Sequence, residues 1–188
     1  MSVRRGLLAI LDQDACYGYQ LRAEYARRTG TVLNVGQIYT TLDRLERDGL
    51  VERRGTDEAG HTYWGITDAG RAETDRWFTE AETPGGRDEQ ALKVALAATL
   101  PGVDAAAVVA AERRAAHARL SAIDADDDGL EVAAAILREA ERSRVVAEIA
   151  WLDAVAPLVS APGSGRTFGV SSDRPRRGRP VRGATQAG

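Results

Sequence analysis

Between Asn34 and Thr67 the chain passes from a one-faced helical repeat, through a glycine stop, into two short segments joined by a polar tip. Asn34 is a good N-cap, and Gln37 stands three residues on, where its side chain can reach back to the cap amide. Ile38, Leu42 and Leu45 recur at helical spacing and share one face. At about 100° per residue, Gly36, Thr40, Asp43, Arg44 and Arg47 point the other way, flanked by Gln37 and Thr41. Gly49 is the expected stop, because it can adopt positive φ and close the last turn.

Two strands are predicted next, Leu50–Arg54 and Thr62–Ile66. Trp64 and Ile66 alternate with polar or small neighbours, and residues 55–60 are turn chemistry. Thr67 is then a fitting N-cap for a helix through Trp77 and Phe78. Upstream, Leu7, Leu8, Ile10 and Leu11 mark a short apolar helix, and a second runs from about Tyr17 through Leu21 and Tyr25 to Gly30. Three short helices followed by a two-stranded ribbon form a winged helix-turn-helix. The predicted fold is therefore mainly α, with this unit at the N-terminus and a helical region behind it. Small residues at the start of the outer helix face would let it enter a major groove. Gln, Thr and Arg can pair there with base edges or phosphates. Read alone, the same helix is an ordinary amphipathic one with a solvated face; the ribbon shifts the balance.

Several segments carry a family resemblance: Tyr17-Gly18-Tyr19-Gln20-Leu21, Ile38 to Glu46, Gly49-Leu50-Val51, and Ile66-Thr67-Asp68-Ala69-Gly70-Arg71. In order and spacing these residues resemble the PadR family of bacterial transcriptional regulators over roughly residues 3–80. The resemblance implies a homodimeric repressor with an N-terminal winged helix and a C-terminal helical dimerisation region. It also implies double-stranded DNA as partner and, for some members, a small aromatic or hydrophobic effector. On this reading Gln37, Thr40, Thr41 and Arg44 read bases, while Arg47, Tyr39, Tyr17, Arg54 and His61 contact the backbone. Two features depart from the family pattern. The wing tip, commonly basic, is here Asp57-Glu58-Ala59-Gly60-His61, and its carboxylates repel phosphate. Thr40 takes a place often held by proline or a smaller residue, and is compatible with a helix.

Charge narrows the options. The chain of 188 residues has a net charge of −3. From Ser160 onward six arginines face only Asp173, a local +5, which leaves −8 for residues 1–159. DNA binding by the folded body must then rest on a local arrangement of arginines. The Gly-, Ser-, Pro- and Arg-rich stretch 159–188 reads as a disordered tail. Within it Arg177-Gly178-Arg179-Pro180 matches the core of an AT-hook, in which arginines enter a narrow minor groove. A solvated basic tail with nonspecific phosphate contacts is the simpler reading.

The domain boundaries expected are 1–80, 87–158 and 159–188. In the middle region Leu92, Leu96 and Leu100 recur every fourth residue, Pro101-Gly102 stops that helix, and an Ala-rich helix follows from about Asp104 to Ile123. A long helix from about Gly129 to Pro157 carries Leu130, Ala134, Leu137, Val145, Ile149 and Leu152. A second copy is the simplest cover for that stripe, so Leu130, Leu137, Val145, Ile149 and Leu152 are the predicted dimer contacts. Trp151 on the same helix would stack on an aromatic effector; its alternative is an interface anchor.

Other functions find little purchase. Asp126-Asp127-Asp128 suits a helix N-terminus, and lacks the spaced ligands of a calcium loop. No metal or cofactor is expected. The single Cys16 precludes an intramolecular disulfide, and fits buried packing better than a redox sensor. His61 and His117 lie far apart, and no phosphate loop, HExxH or serine elbow occurs, so no enzyme is expected. No apolar run suits a membrane span or signal peptide, which makes the cytoplasm the expected location. Two readings compete with the regulator. One is a winged helix used for protein–protein contact; the other is an architectural DNA binder acting through its basic tail.

Overall fold

The computed structural model describes residues 2–81, 87–125, 132–161 and 167–171. The chain begins with helix α1 (Ser2–Leu11), where Leu7, Leu8, Ala9, Ile10 and Leu11 are all buried. Five consecutive buried residues cannot share one helix face, so α1 must be enclosed. It is enclosed by α2 (Gly18–Thr29), α3 (Val35–Arg47), α4 (Asp68–Thr79) and α5 (Arg87–Thr99).

Strands β2 (Val51–Thr56) and β3 (Thr62–Ile66) form the expected ribbon, but the sheet has a third strand, β1 (Cys16–Tyr17). The order is β1-β3-β2, all antiparallel, with Cys16 opposite Trp64 and Tyr17 opposite Tyr63. The two-stranded wing is thus present, with β1 added along the other side of β3, and α2 starts at Gly18 with Tyr17 as its N-cap, within a residue of the expected start. Two residues are too few to show a strand period, and it is pairing with β3 that makes them a strand. Strand β2 also runs two residues further than predicted, with an irregular register between Arg53 and Gly55.

Cys16 is fully buried, and its Sγ donates to the Asp14 carbonyl. Burial, reinforced by the neighbouring Asp14 charge, pushes its thiol up to about 12. A buried thiol that stays protonated at neutral pH is a poor nucleophile, which fits the packing role expected of Cys16.

Behind the winged helix, α5 is followed by α6 (Ala105–Ala125) and α7 (Val132–Ser160). Asp104 caps α6 by accepting from the Ala107 amide. Pro157 does not end α7, which continues three residues further to Ser160. A small core of Ala9, Trp77, Leu96 and Leu100 joins α1, α4 and α5, so the helical region is packed onto the winged helix.

The second half of the α7 stripe does not face outward as predicted. Val145, Ile149 and Leu152 are buried against α6 in a core shared with Val108, Val109 and Ala116. Leu137 is 72% exposed. Leu130 and the Asp126–Asp128 run lie outside the described residues. Periodicity located an apolar face at Val145, Ile149 and Leu152, and the neighbour that covers it is this chain's own α6; Leu137 lies off that face. Trp151 is half-buried at the edge of the same core.

The tail reading is corrected in part. Residues 167–171 lie against α2, whereas Arg177 and Arg179 fall outside the described residues. Among the described residues no helix is long and apolar enough to cross a membrane.

Candidate nucleic-acid interface

Helix α3 owes its position to both of its ends. Asn34 Oδ1 accepts from the Gln37 amide at 2.7 Å, as expected of an N-cap. At the other end Gly49, with φ of 73°, donates to the Glu46 carbonyl, while the Leu50 amide reaches the Leu45 carbonyl. That pair of bonds is a Schellman motif, and its apolar contact is supplied by Leu45 and Leu50 in the winged-helix core. Ile38, Leu42 and Leu45 are buried there. The opposite face is consequently turned to solvent.

On that face the predicted residues come together. Gln37, Thr40, Arg44 and Arg47 are exposed, and Thr41 is half-exposed. Arg44 has no ion-pair partner among the described residues. Arg47 pairs with its neighbour Asp48 at 3.2 Å yet remains 73% exposed at the side chain. Asp48 is held mainly by Arg4 of α1, whose hydrogen bond keeps its carboxyl below the usual range. The Thr41 hydroxyl donates to the Gln37 carbonyl, so its donor is engaged within the helix while its oxygen can still accept. Asp43 shares the exposed face and opposes phosphate there.

Tyr39 is 39% exposed, and its ring lies on Gly18 at the start of α2. A Cβ added at Gly18 would stand 2.7 Å from that ring, so the absence of a side chain at residue 18 sets how Tyr39 lies. Tyr17 is placed differently from expectation. Its hydroxyl has no solvent access, and its ring stacks on His61 with centroids 4.6 Å apart. It is part of the packing under the wing and not of the outer face.

The acidic wing tip has a structural explanation. Asp57 Oδ1 accepts from the amides of Ala59 and His61, and Oδ2 lies 3.2 Å from His61 Nδ1. Those bonds, the His61 amide foremost, hold the Asp57 carboxyl below its usual range. Asp57 therefore organises the turn, leaving Glu58 as the exposed acid at the tip. His61 is committed to this turn and to Tyr17. Arg54 pairs with Glu52 and stays more than half exposed. Arg53, not singled out from sequence, lies over Trp64 and pairs with Glu46 of α3, tying wing to helix. No local signal marks that role, since it needs a partner seven residues away on another element. Among the described residues no group of His, Cys, Asp or Glu is arranged to hold a metal ion.

Residues 7–76, from α1 to the last turn of α4, match the transcriptional regulator PadR-like family. No curated protein matches the sequence. Among solved structures the chain is similar to hsRosR-S4, a complex structure, at 27% identity over 40% of this chain and 64% of that one, with a TM-score of 0.38. The chain thus spans less than two thirds of the length of hsRosR-S4. A transcriptional regulator from Clostridium thermocellum is 25% identical over 39% of this chain and 74% of its own, with a TM-score of 0.37. PadR from Bacillus subtilis, solved with operator DNA, is 17% identical over 85% of this chain and 100% of its own, with a TM-score of 0.42. The matched family is one of transcriptional regulators and not of enzymes.

Proposed function

Given a PadR-like transcriptional-regulator segment over residues 7–76, we propose that this chain is a cytoplasmic repressor that reads operator DNA with the outer face of α3. The observation that carries the reading is the exposed set Gln37, Thr40, Arg44 and Arg47, with Arg44 unengaged by any carboxylate among the described residues. An arginine held on a rigid helix and free of ion pairs can turn its guanidinium to the O6 and N7 of guanine. Gln37 and Thr40 lie on the same side, within reach of neighbouring bases. Arg47, Tyr39 and Arg54 flank them as phosphate contacts, and His61 takes a lesser part because Asp57 and Tyr17 already occupy it.

Operator reading of this type is usually done by a dimer. The support for one is the face of α7 that α6 leaves uncovered. Ile136, Ala140, Ser143, Ala147, Ala150 and Ala154 follow one another at steps of four and three residues, the spacing of a heptad seam. Most of these are exposed, and Val132, Ile136 and Leu158 on α7 are each more than 60% exposed. Small residues let two such helices approach closely about a two-fold axis. This seam replaces Val145, Ile149 and Leu152 as the proposed contact between copies. Trp151 borders it, and there we place the aromatic effector.

The test is a titration of the full chain against a duplex from upstream of its own gene and against random DNA. Arg44→Ala is expected to cost about 1–3 kcal/mol on the cognate duplex and clearly less on random sequence. Equal losses on both would reduce Arg44 to a phosphate contact and favour an architectural binder. Repeating the titration with phenolic acids, for the native chain and for Trp151→Ala, checks the effector. Release that persists in the variant would remove Trp151 from that role.

A further inference from the structure

Residues 167–171 are bound by a site built on α2 and the end of α5. The Phe168 amide donates to the Thr99 carbonyl, and Arg28 donates to the carbonyls of both Thr99 and Phe168 at 2.8 Å. Arg27 donates to the Gly169 carbonyl. The Ser171 amide donates to Glu24 Oε1, and Gln20 Nε2 to the Ser171 carbonyl. The Phe168 ring lies beneath the guanidinium groups of Arg27 and Arg28, 3.9 and 4.5 Å away, and Val170 packs against the winged-helix core.

This is a costly site to build. Glu24 and Arg28 are buried at 1% and 5% exposure, and Glu24 holds both arginines by ion pairs. A buried carboxylate and guanidinium need every available partner. The backbone of residues 168–171 supplies several of theirs.

We propose that Thr167–Ser171 is an anchor that delivers the arginine-rich C-terminus to DNA beside the α2 edge of the interface. The proposal rests on the reading of α3 as the DNA-contacting helix. Ser171 is fixed by Gln20 and Glu24 in the first two turns of α2, and the start of that helix, Gly18, carries the Tyr39 ring of α3. Arg174 follows within about 11 Å of chain, and Arg182 within about 40 Å. Residues 172–188 hold five arginines against Asp173, while residues 1–159 are strongly acidic. The cations lacking on the folded body are thereby tethered at the place where DNA would lie. Tethered from the end of α7 instead, they would have a longer span to search, and effective concentration falls with tether length. Arg28 is buried, and Glu24 and the anchor's carbonyls already engage both Arg27 and Arg28, so neither guanidinium is as free for phosphate as the tail's arginines.

Three proteins test the proposal: the native chain, a Phe168→Ala/Val170→Ser double variant, and a chain ending at Ser171. A nitroxide on Ser172→Cys, introduced into the first two, reports docking, with Cys16 buried and unreactive. Binding to the duplex from upstream of its own gene is measured over a range of salt. Truncation is expected to weaken binding about tenfold or more at low salt and to flatten the salt slope. The double variant is expected to mobilise the label and to weaken binding several-fold, with a slope between the other two. A mobile label with native affinity would overturn the anchor, and so would an immobile label in the double variant. Truncation without effect on affinity or slope would remove the tail from DNA altogether. Failure of the underlying reading looks different: the native chain would then bind no better than Arg44→Ala.

Discussion

Replacing Lys93 by methionine is expected to destabilise the chain by about 3–5 kcal/mol, the usual cost of stripping one partner from a buried ion pair. The Lys93 side chain is 1% exposed and that of Glu112 is fully buried, with Nζ 2.6 Å from Glu112 Oε1. Nζ also donates to the carbonyl of Glu80, the C-cap of α4. The other Glu112 oxygen accepts from Gln90, whose Nε2 also donates to Glu148 of α7, and Glu148 pairs in turn with Arg119. One ammonium therefore ties the end of the winged helix to α6, and through Gln90 to α7. Methionine fills the volume but takes away the ammonium that lies 2.6 Å from the buried Glu112 carboxylate. Urea unfolding of the native chain, Lys93→Met and the double variant Lys93→Met/Glu112→Leu checks the argument. The double variant is expected to regain much of the loss, because removing both charges also removes the desolvation cost. A loss below about 1 kcal/mol for the single variant would mean that the pair is not buried as described.

The second large effect is expected at Gly70, in the first turn of α4. A Cβ built there stands 2.2 Å from the Leu50 carbonyl oxygen and 2.6 Å from Ile66 Cγ1. The obstacle is backbone, so no rotamer change relieves it. The same carbonyl accepts from the Thr67 amide, and the Thr67 hydroxyl donates to Gly49 while accepting from Gly70. Helix α4 is thus latched to the chain just where α3 ends and β2 begins. Gly70→Ala must lift the latch, at a cost near or above the upper end of the 1–3 kcal/mol typical of overpacking. Gly36→Ala is the matched control. It lies on the exposed face of α3, its nearest atom is an ordinary 3.5 Å away, and alanine favours a helix by roughly 1 kcal/mol. Thermal unfolding should therefore show a lower Tm for Gly70→Ala and an equal or higher one for Gly36→Ala. Equal behaviour of the two would contradict the close approach at Gly70.

These two glycines also show what could be read in advance. The ends of α3 were legible because caps are local: Asn34, Gln37 and Gly49 interact within a few residues of chain. The outer face was legible for the same reason, as a consequence of helical period around Ile38, Leu42 and Leu45. Gly70 was legible only as a match to a family pattern; its physical reason lies at Leu50, across a turn of backbone.

Long-range partners were not legible. Strand β1 exists because β3 pairs with it. The apolar stripe of α7 was visible, but periodicity does not say whether α6 or a second chain covers it. Lys93 is the sole lysine of the chain, and nothing near it in sequence signals that Glu112, on another helix, pairs with it in the core. The anchor at residues 167–171 is held largely through backbone groups, which carry no sequence signal, and Phe168 alone hints at it.

The central claim is that the outer face of α3 reads a specific DNA site. Footprinting of the full chain over the region upstream of its own gene, at low salt, tests it most directly. The expected result is two protected patches on one side of the duplex, about one helical turn apart, as for a two-fold dimer. Both should disappear in the Gln37→Ala/Arg44→Ala variant at concentrations that protect fully with the native chain. No protection by the native chain, or protection that survives the double variant unchanged, would contradict the account.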